Sequence, residues 1–107
     1  MIIENTDPVI VVFSNVPDEA LGREMARTLV QEGHAACVHL FPAGSSFYIW
    51  EGKLQEDREW TLMVKSCLSR WSDLKVRIKA MHPYEVPEIL MLPVQDGLPA
   101  YLQWVRR

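Results

Sequence analysis

Residues 9–18 read Val9-Ile10-Val11-Val12-Phe13-Ser14-Asn15-Val16-Pro17-Asp18, and the fold follows from how that stretch divides. The first five are β-branched or aromatic with no polar alternation, the pattern of a strand covered on both faces. Asn15 to Asp18 is turn chemistry. Asp18 stands where it can cap a helix whose Leu21, Met25 and Leu29 recur at helical spacing, with Ala26 and Val30 beside them. That helix runs from Glu19 to Glu32, with Gly33 as its stop. A central strand leading at once into an amphipathic helix is the first half of a β-α-β unit.

Working outward, Ala35 to Phe41 returns to a period of two. Ala36, Val38 and Leu40 point one way and Cys37, His39 and Phe41 the other. Pro42-Ala43-Gly44 interrupts the ladder, and Ser46 to Trp50 is strand-like again, so the spacing predicts either one long bent strand or a short hairpin. Gly52 to Asp57 reads as a polar reversal. Glu59 to Cys67 reads as a strand, with Trp60, Leu62 and Val64 on one face and Glu59, Thr61, Met63, Lys65 and Cys67 on the other. Ser69 is the expected cap of a second helix carrying Trp71, Leu74, Ile78 and Met81, ended at His82-Pro83 because proline disfavours helical geometry in the residue before it. Val86 to Val94, bracketed by Pro87 and Pro93, has the habit of an edge strand. Gly97-Leu98-Pro99 opens a short closing helix.

Two β-α-β halves with right-handed crossovers give a ferredoxin-like α+β fold, an antiparallel sheet with both main helices on one face. The other face, and an arm carrying Phe47, Tyr48 and Trp50, then need cover, which oligomerisation supplies most simply. With 107 residues the chain is long enough for one domain, spanning 1–107 with residues 1–8 as a flexible polar lead.

Composition narrows the function classes. Eleven Lys and Arg against fourteen Asp and Glu give a net charge of -3, and the basic residues are scattered, which argues against a nucleic-acid partner. The apolar run from Val9 to Phe13 is far too short for a membrane span or a secretory leader, so the expected compartment is the cytoplasm with no membrane partner. The two cysteines, Cys37 and Cys67, lack the C-x-x-C spacing of a zinc or thioredoxin motif and read as reduced thiols. No phosphate loop, nucleophile elbow or H-E-x-x-H pair is present, and no catalytic residue is assigned.

Several polar groups in apolar settings stay open between structure and chemistry. His34, Cys37 and His39 offer donor atoms suited to copper or zinc, but spacing alone favours the reading in which His34 closes a helix and Cys37 packs as a small hydrophobe. Glu59 and Lys65 share a strand face about 20 Å apart at ~3.3 Å per residue, so neither is the other's partner. His82-Pro83-Tyr84-Glu85-Val86-Pro87-Glu88 gathers an imidazole, a phenol and carboxylates around rigid prolines, and reads either as a stiff turn or as a site.

Taken together, Ala35-Ala36-Cys37-Val38, Ser46-x-Tyr48-x-Trp50-Glu51-Gly52-Lys53, His82-Pro83-Tyr84-Glu85-Val86-Pro87-Glu88, Gly97 and Tyr101-Leu102-x-Trp104 resemble the CutA divalent-cation tolerance family from about Val9 to Trp104. The resemblance implies a homotrimer of ferredoxin-like subunits, similar in architecture to PII signalling proteins, linked to tolerance of copper and other divalent ions and without an established reaction. By position it implies Cys37 and His82 as metal ligands. It also implies a cleft near the subunit boundary with Trp50, Glu59, Lys65, Tyr84 and Glu88, expected to hold a small anionic or zwitterionic molecule or ordered solvent, with a purely structural ion-pair network as the rival reading. His34 and His39 depart from the family pattern. A metal-responsive trimer that requires no cofactor beyond the copper or other divalent ion it binds is the first expectation. A PII-like signalling or small-ligand trimer without a required metal is the alternative, and an enzyme comes third.

Overall fold

The computed structural model describes residues 7–107. Its elements are β1 (Val9–Val16), α1 (Glu19–Gln31), β2 (Cys37–Leu40), β3 (Gly44–Trp50), β4 (Lys53–Cys67), α2 (Trp71–Met81), β5 (Leu90–Pro93) and α3 (Pro99–Arg106), with a 3-10 turn at Leu68–Arg70. The sheet order is β2-β4-β1-β5, every pairing antiparallel, and β3 pairs with the outer half of β4. This is the expected ferredoxin-like arrangement, with β1 and the inner half of β4 at its centre.

Alternation along the two central strands decides what the helices cover. Ile10, Val12 and Val16 of β1 and Leu62 and Val64 of β4 meet Met25 and Leu29 of α1 and Leu74 and Ile78 of α2, and all of them are buried. Ser14 lies in the same row and is equally buried, and its hydroxyl has no partner among the described residues. Asp18 caps α1 as its position predicts, accepting from the Leu21 amide at 2.7 Å. At the far end His34 N–H reaches back to the Leu29 carbonyl, with Gly33 at φ 80°, the left-handed closure for which glycine is the favoured residue.

The opposite face is only half covered. Val11 and Phe13 of β1 are half-buried there, while Leu90 and Leu92 of β5 and Phe41 beyond β2 are exposed. The short α3 crosses one end of this face, burying Val105 and packing on β4 and β1. It is held by Arg70, whose guanidinium donates to the carbonyls of Val105, Arg106 and Arg107. Arg106 in turn donates to the Asp7 carbonyl at 2.7 Å.

The arm differs most from the sequence reading. Of the polar stretch Gly52 to Asp57 only Gly52 belongs to the reversal, and Lys53 to Asp57 is regular strand: the chain turns within Glu51-Gly52 alone, both at positive φ (51° and 78°), as a two-residue hairpin of the primed type requires. β4 is therefore 15 residues long and β3–β4 forms a two-stranded ribbon that draws the molecule out to 58 × 26 × 23 Å. The ribbon has no buried face within the chain, so it lacks the apolar alternation by which a strand is recognised. Further boundaries moved. β1 continues through Asn15 and Val16, read as turn, because both pair with β4, and β2 spans Cys37–Leu40 where Ala35 to Phe41 was expected. α2 starts at Trp71 without a side-chain cap, because the Ser69 hydroxyl is committed to the Asp7 carboxylate at 2.8 Å. The last strand starts at Leu90 rather than Val86, since β1 offers it pairing only from Ile10 to Phe13. The flexible lead expected over residues 1–8 falls outside the described residues except for Asp7 and Pro8. Both of these are engaged, Asp7 with Ser69 and the Pro8 carbonyl with the Leu68 amide.

Candidate functional site

β4 runs unbroken from the arm into the sheet, so its odd-numbered residues keep one face along the whole length. On the arm, register places Trp50 opposite Lys53, Tyr48 opposite Gln55, Ser46 opposite Asp57 and Gly44 opposite Glu59, all on the face that continues into the half-covered side of the sheet. The helix-to-strand segment after α2 comes up against this face. Between the two lies a cleft of about 510 Å³ lined by Tyr48, Trp50, Gln55, Glu59, Tyr84, Glu85 and Val86.

Two phenol–carboxylate pairs order the cleft. Tyr84 Oη donates to Glu59 Oε2 at 3.1 Å, and Tyr48 Oη donates to Asp57. Burial, with the Glu59 carboxylate accepting its proton, pushes the Tyr84 phenol up to about 12, and the bond to Asp57 raises that of Tyr48. Both phenols therefore remain donors across the physiological range.

Tyr84 is positioned by His82. That imidazole is only 7% exposed; its Nδ1 accepts from the Tyr84 amide at 3.2 Å and its Nε2 faces the Asn15 carbonyl at 2.6 Å. The pair of bonds fits one neutral tautomer, Nε2–H donating and Nδ1 accepting. Asn15 extends the network through its side chain, accepting from Thr61 Oγ1 at 2.6 Å and donating to Glu88 Oε1 at 3.3 Å. Each His82 nitrogen already has a partner, so in this geometry the ring acts as a brace between β1 and the Tyr84 segment.

Of the residues expected to meet, Trp50, Glu59 and Tyr84 line one cleft. Glu88 stands beside it on Asn15, and His82 sits behind it. Lys65 and Cys37 do not join them: they are cross-strand neighbours at the other end of the same face. The Lys65 ammonium lies 5.7 Å from the Tyr101 ring centroid of α3. Cys37 is a half-buried free thiol on the outer strand β2, and Cys67 a fully buried one whose burial pushes its thiol up. His39 follows Cys37 on the same face and meets Phe41 edge-on at 4.7 Å, while His34 reaches Glu32 at 3.3 Å.

Sequence reasoning missed Tyr48, Gln55, Asp57 and Asn15 as members of this network. For the first three the signal was present in Glu51-Gly52: read as a two-residue turn, it fixes the register that puts Gln55 and Asp57 opposite Tyr48 and Ser46. Asn15 gave no such signal, because its role depends on three segments distant in sequence.

On the other face of the arm base, Arg58 lies 5.2 Å from the Trp60 ring centroid beside a hollow of about 370 Å³ that also has Arg23, Glu19 and Phe41 in its wall. Arg23 is paired there with Glu19 at 2.8 Å.

A ferredoxin-like subunit with a long β3–β4 arm and an aromatic, carboxylate-bearing cleft at the arm's base defines the class of protein. Residues 10–107 match the family model of the CutA1 divalent ion tolerance protein. The divalent-cation tolerance protein CutA of Thermus thermophilus is 46% identical over 96 residues, covering 90% of this chain and 93% of that protein. The chloroplastic protein CutA of Arabidopsis thaliana is 42% identical over 101 residues; the alignment covers 94% of this chain but 56% of the plant protein, so the chain spans little more than half of that relative. The solved structure of the Thermus thermophilus divalent cation tolerance protein superposes with a TM-score of 0.88 at 45% identity, covering 92% of this chain and 95% of that one. The chain belongs to the CutA1 divalent ion tolerance family. None of its described helices is long and apolar enough to cross a membrane.

Proposed function

We propose that the chain works as a homotrimer in the reducing cytoplasm and binds a divalent transition-metal ion, copper foremost, without catalysing a reaction. The carrying observation is the bare arm and half-covered sheet face: Phe47, Ile49 and Leu54 on one side of the arm are 62%, 66% and 69% exposed, and Trp50 with Tyr48 lies on the other. Apolar surface of this extent on an arm that draws the molecule out to 58 Å calls for other copies of the chain. Two free thiols agree with a reducing compartment. The Cys37 thiol is the softest donor on that face, and His39 stands two residues along on the same side. A neighbouring copy completes the set, because His82 can offer a nitrogen only by giving up its bond to Asn15 or to Tyr84.

The test is the mass of the native assembly with and without Cu(II), repeated on Cys37→Ser. Three chains, with metal retained by the wild type and lost by the variant, is the expected result. A monomer, or equal retention by the variant, contradicts it. A second reading, a PII-like trimer that holds a small ligand in the cleft without a required metal, is favoured by the open, aromatic-walled cleft of about 510 Å³ between the arm and Tyr84.

A further inference from the structure

The two hollows at the base of the arm carry opposite charge, because alternation along β4 sends Asp57 and Glu59 to one face and Arg58 to the other. We propose that the cleft on the carboxylate side binds a small organic cation, an ammonium on a short alkyl body, with Trp50, Tyr48 and Tyr84 as its aromatic wall and the Glu59 carboxylate as its counter-ion. The proposal rests on the reading that the cleft takes a small ligand, and gives that ligand a charge class.

The lining contains two carboxylates, Glu59 and Glu85, and no Lys, Arg or His. The cations nearest in register lie outside it. Lys53 is opposite Trp50 at the arm's tip and exposed, and Lys65 is six residues beyond Glu59 under Tyr101. An anion entering here meets two carboxylates with no compensating charge, and a neutral apolar body strips water from them without return. A bare divalent ion fares no better, since it needs several oxygens converging at bonding distance. Glu59 has one oxygen already engaged by Tyr84, Glu85 and Gln55 add oxygens to a wall that is otherwise ring and methyl surface, and among the described residues no three His, Cys, Asp or Glu side chains converge as a metal site requires. An alkylammonium meets each constraint at once: its body covers apolar wall, its charge faces ring faces and the free Glu59 oxygen, and cation–π attraction grows as water leaves. The Tyr84 hydroxyl donates a hydrogen bond to Glu59 at 3.1 Å, which holds the carboxylate in place for a ligand.

The test uses three probes with one alkyl body on the native assembly: 3-methylbutylammonium, 3-methylbutan-1-ol and 3-methylbutanoate. Binding is followed by the indole N–H resonance of Trp50, assigned among the four tryptophans with Trp50→Phe. The ammonium should bind about tenfold more tightly than the alcohol, with the carboxylate weakest. Glu59→Gln should remove most of that tenfold preference while leaving alcohol binding within about twofold, which also reports that the variant is folded. Alcohol or carboxylate binding as tightly as the ammonium overturns the charge class and leaves the ligand cleft standing. Failure of all three probes to move the Trp50 resonance overturns both. Ammonium binding that emerges only in Lys53→Ala shows a neighbouring copy's lysine as the occupant and overturns a free small molecule.

Discussion

The helix-covered half of the sheet and the β3–β4 arm are built from the same strand, yet they answer to different partners. From Trp60 to Ser66, β4 alternates against α1 and α2, and its inward side chains are buried or packed against the buried cluster within the chain. From Lys53 to Arg58 the same strand pairs only with β3 and buries nothing fully. Hydrogen bonding is continuous across both, so it is side-chain burial that separates a region packed within the chain from one the chain leaves exposed.

Perturbations should therefore separate cleanly. Replacing Phe47, Ile49 and Leu54 together with serine should abolish the proposed assembly while the far-ultraviolet circular dichroism of each subunit keeps its helical component; sedimentation velocity reads the first and dichroism the second. Leu29→Ala or Ile78→Ala, both fully buried, should instead cost about 2–5 kcal/mol in denaturant titration without changing the intersubunit contacts. If the arm variant unfolds the subunit as thoroughly as a core variant does, the division drawn here is wrong.

Smaller effects sharpen the covered half. Removing the cap of α1 with Asp18→Ala should cost about 1 kcal/mol. Ser14→Ala has the opposite sign: its hydroxyl is buried among apolar side chains without a partner among the described residues, so its loss should stabilise by up to about 1 kcal/mol in the same titration. The smallest effect is electrostatic. Arg77 donates twice to Glu32 across the helix pair and holds its carboxyl below the ordinary 4.5. A carboxyl depressed in the folded state adds stability above its unfolded value and loses it as pH falls through the folded one. The pair is solvent-exposed, so melting of wild type and Arg77→Gln should converge slightly as pH drops below about 4.5.

How much could be read beforehand follows the same boundary. Val9 to Phe13 and the Leu21/Met25/Leu29 stripe declared themselves as strand and helix through burial inside one chain, although Val11 and Phe13 are only half-buried where cover on both faces was expected, and the exposed Asp18 cap declared itself through local sequence alone. Gln55 and Asp57 did not, since a ribbon exposed on both sides carries no apolar period. Glu59 was visible as a charge in need of a partner, and Tyr84 proved to supply it from 25 residues away. Ser69 misled for a related reason: as a local signal it is a good cap, but Asp7, 62 residues distant, takes its hydroxyl. Cys37 and His82 were grouped by resemblance, whereas within the chain one belongs to the Lys65 end of the sheet and the other to the Asn15 end.

The account turns on what covers the arm, and sedimentation equilibrium of the unmodified chain across micromolar concentrations tests that most directly. A single species of three chains, shifting to one chain in the Phe47, Ile49 and Leu54 serine variant, is the predicted result. A wild-type chain that stays monomeric throughout contradicts it.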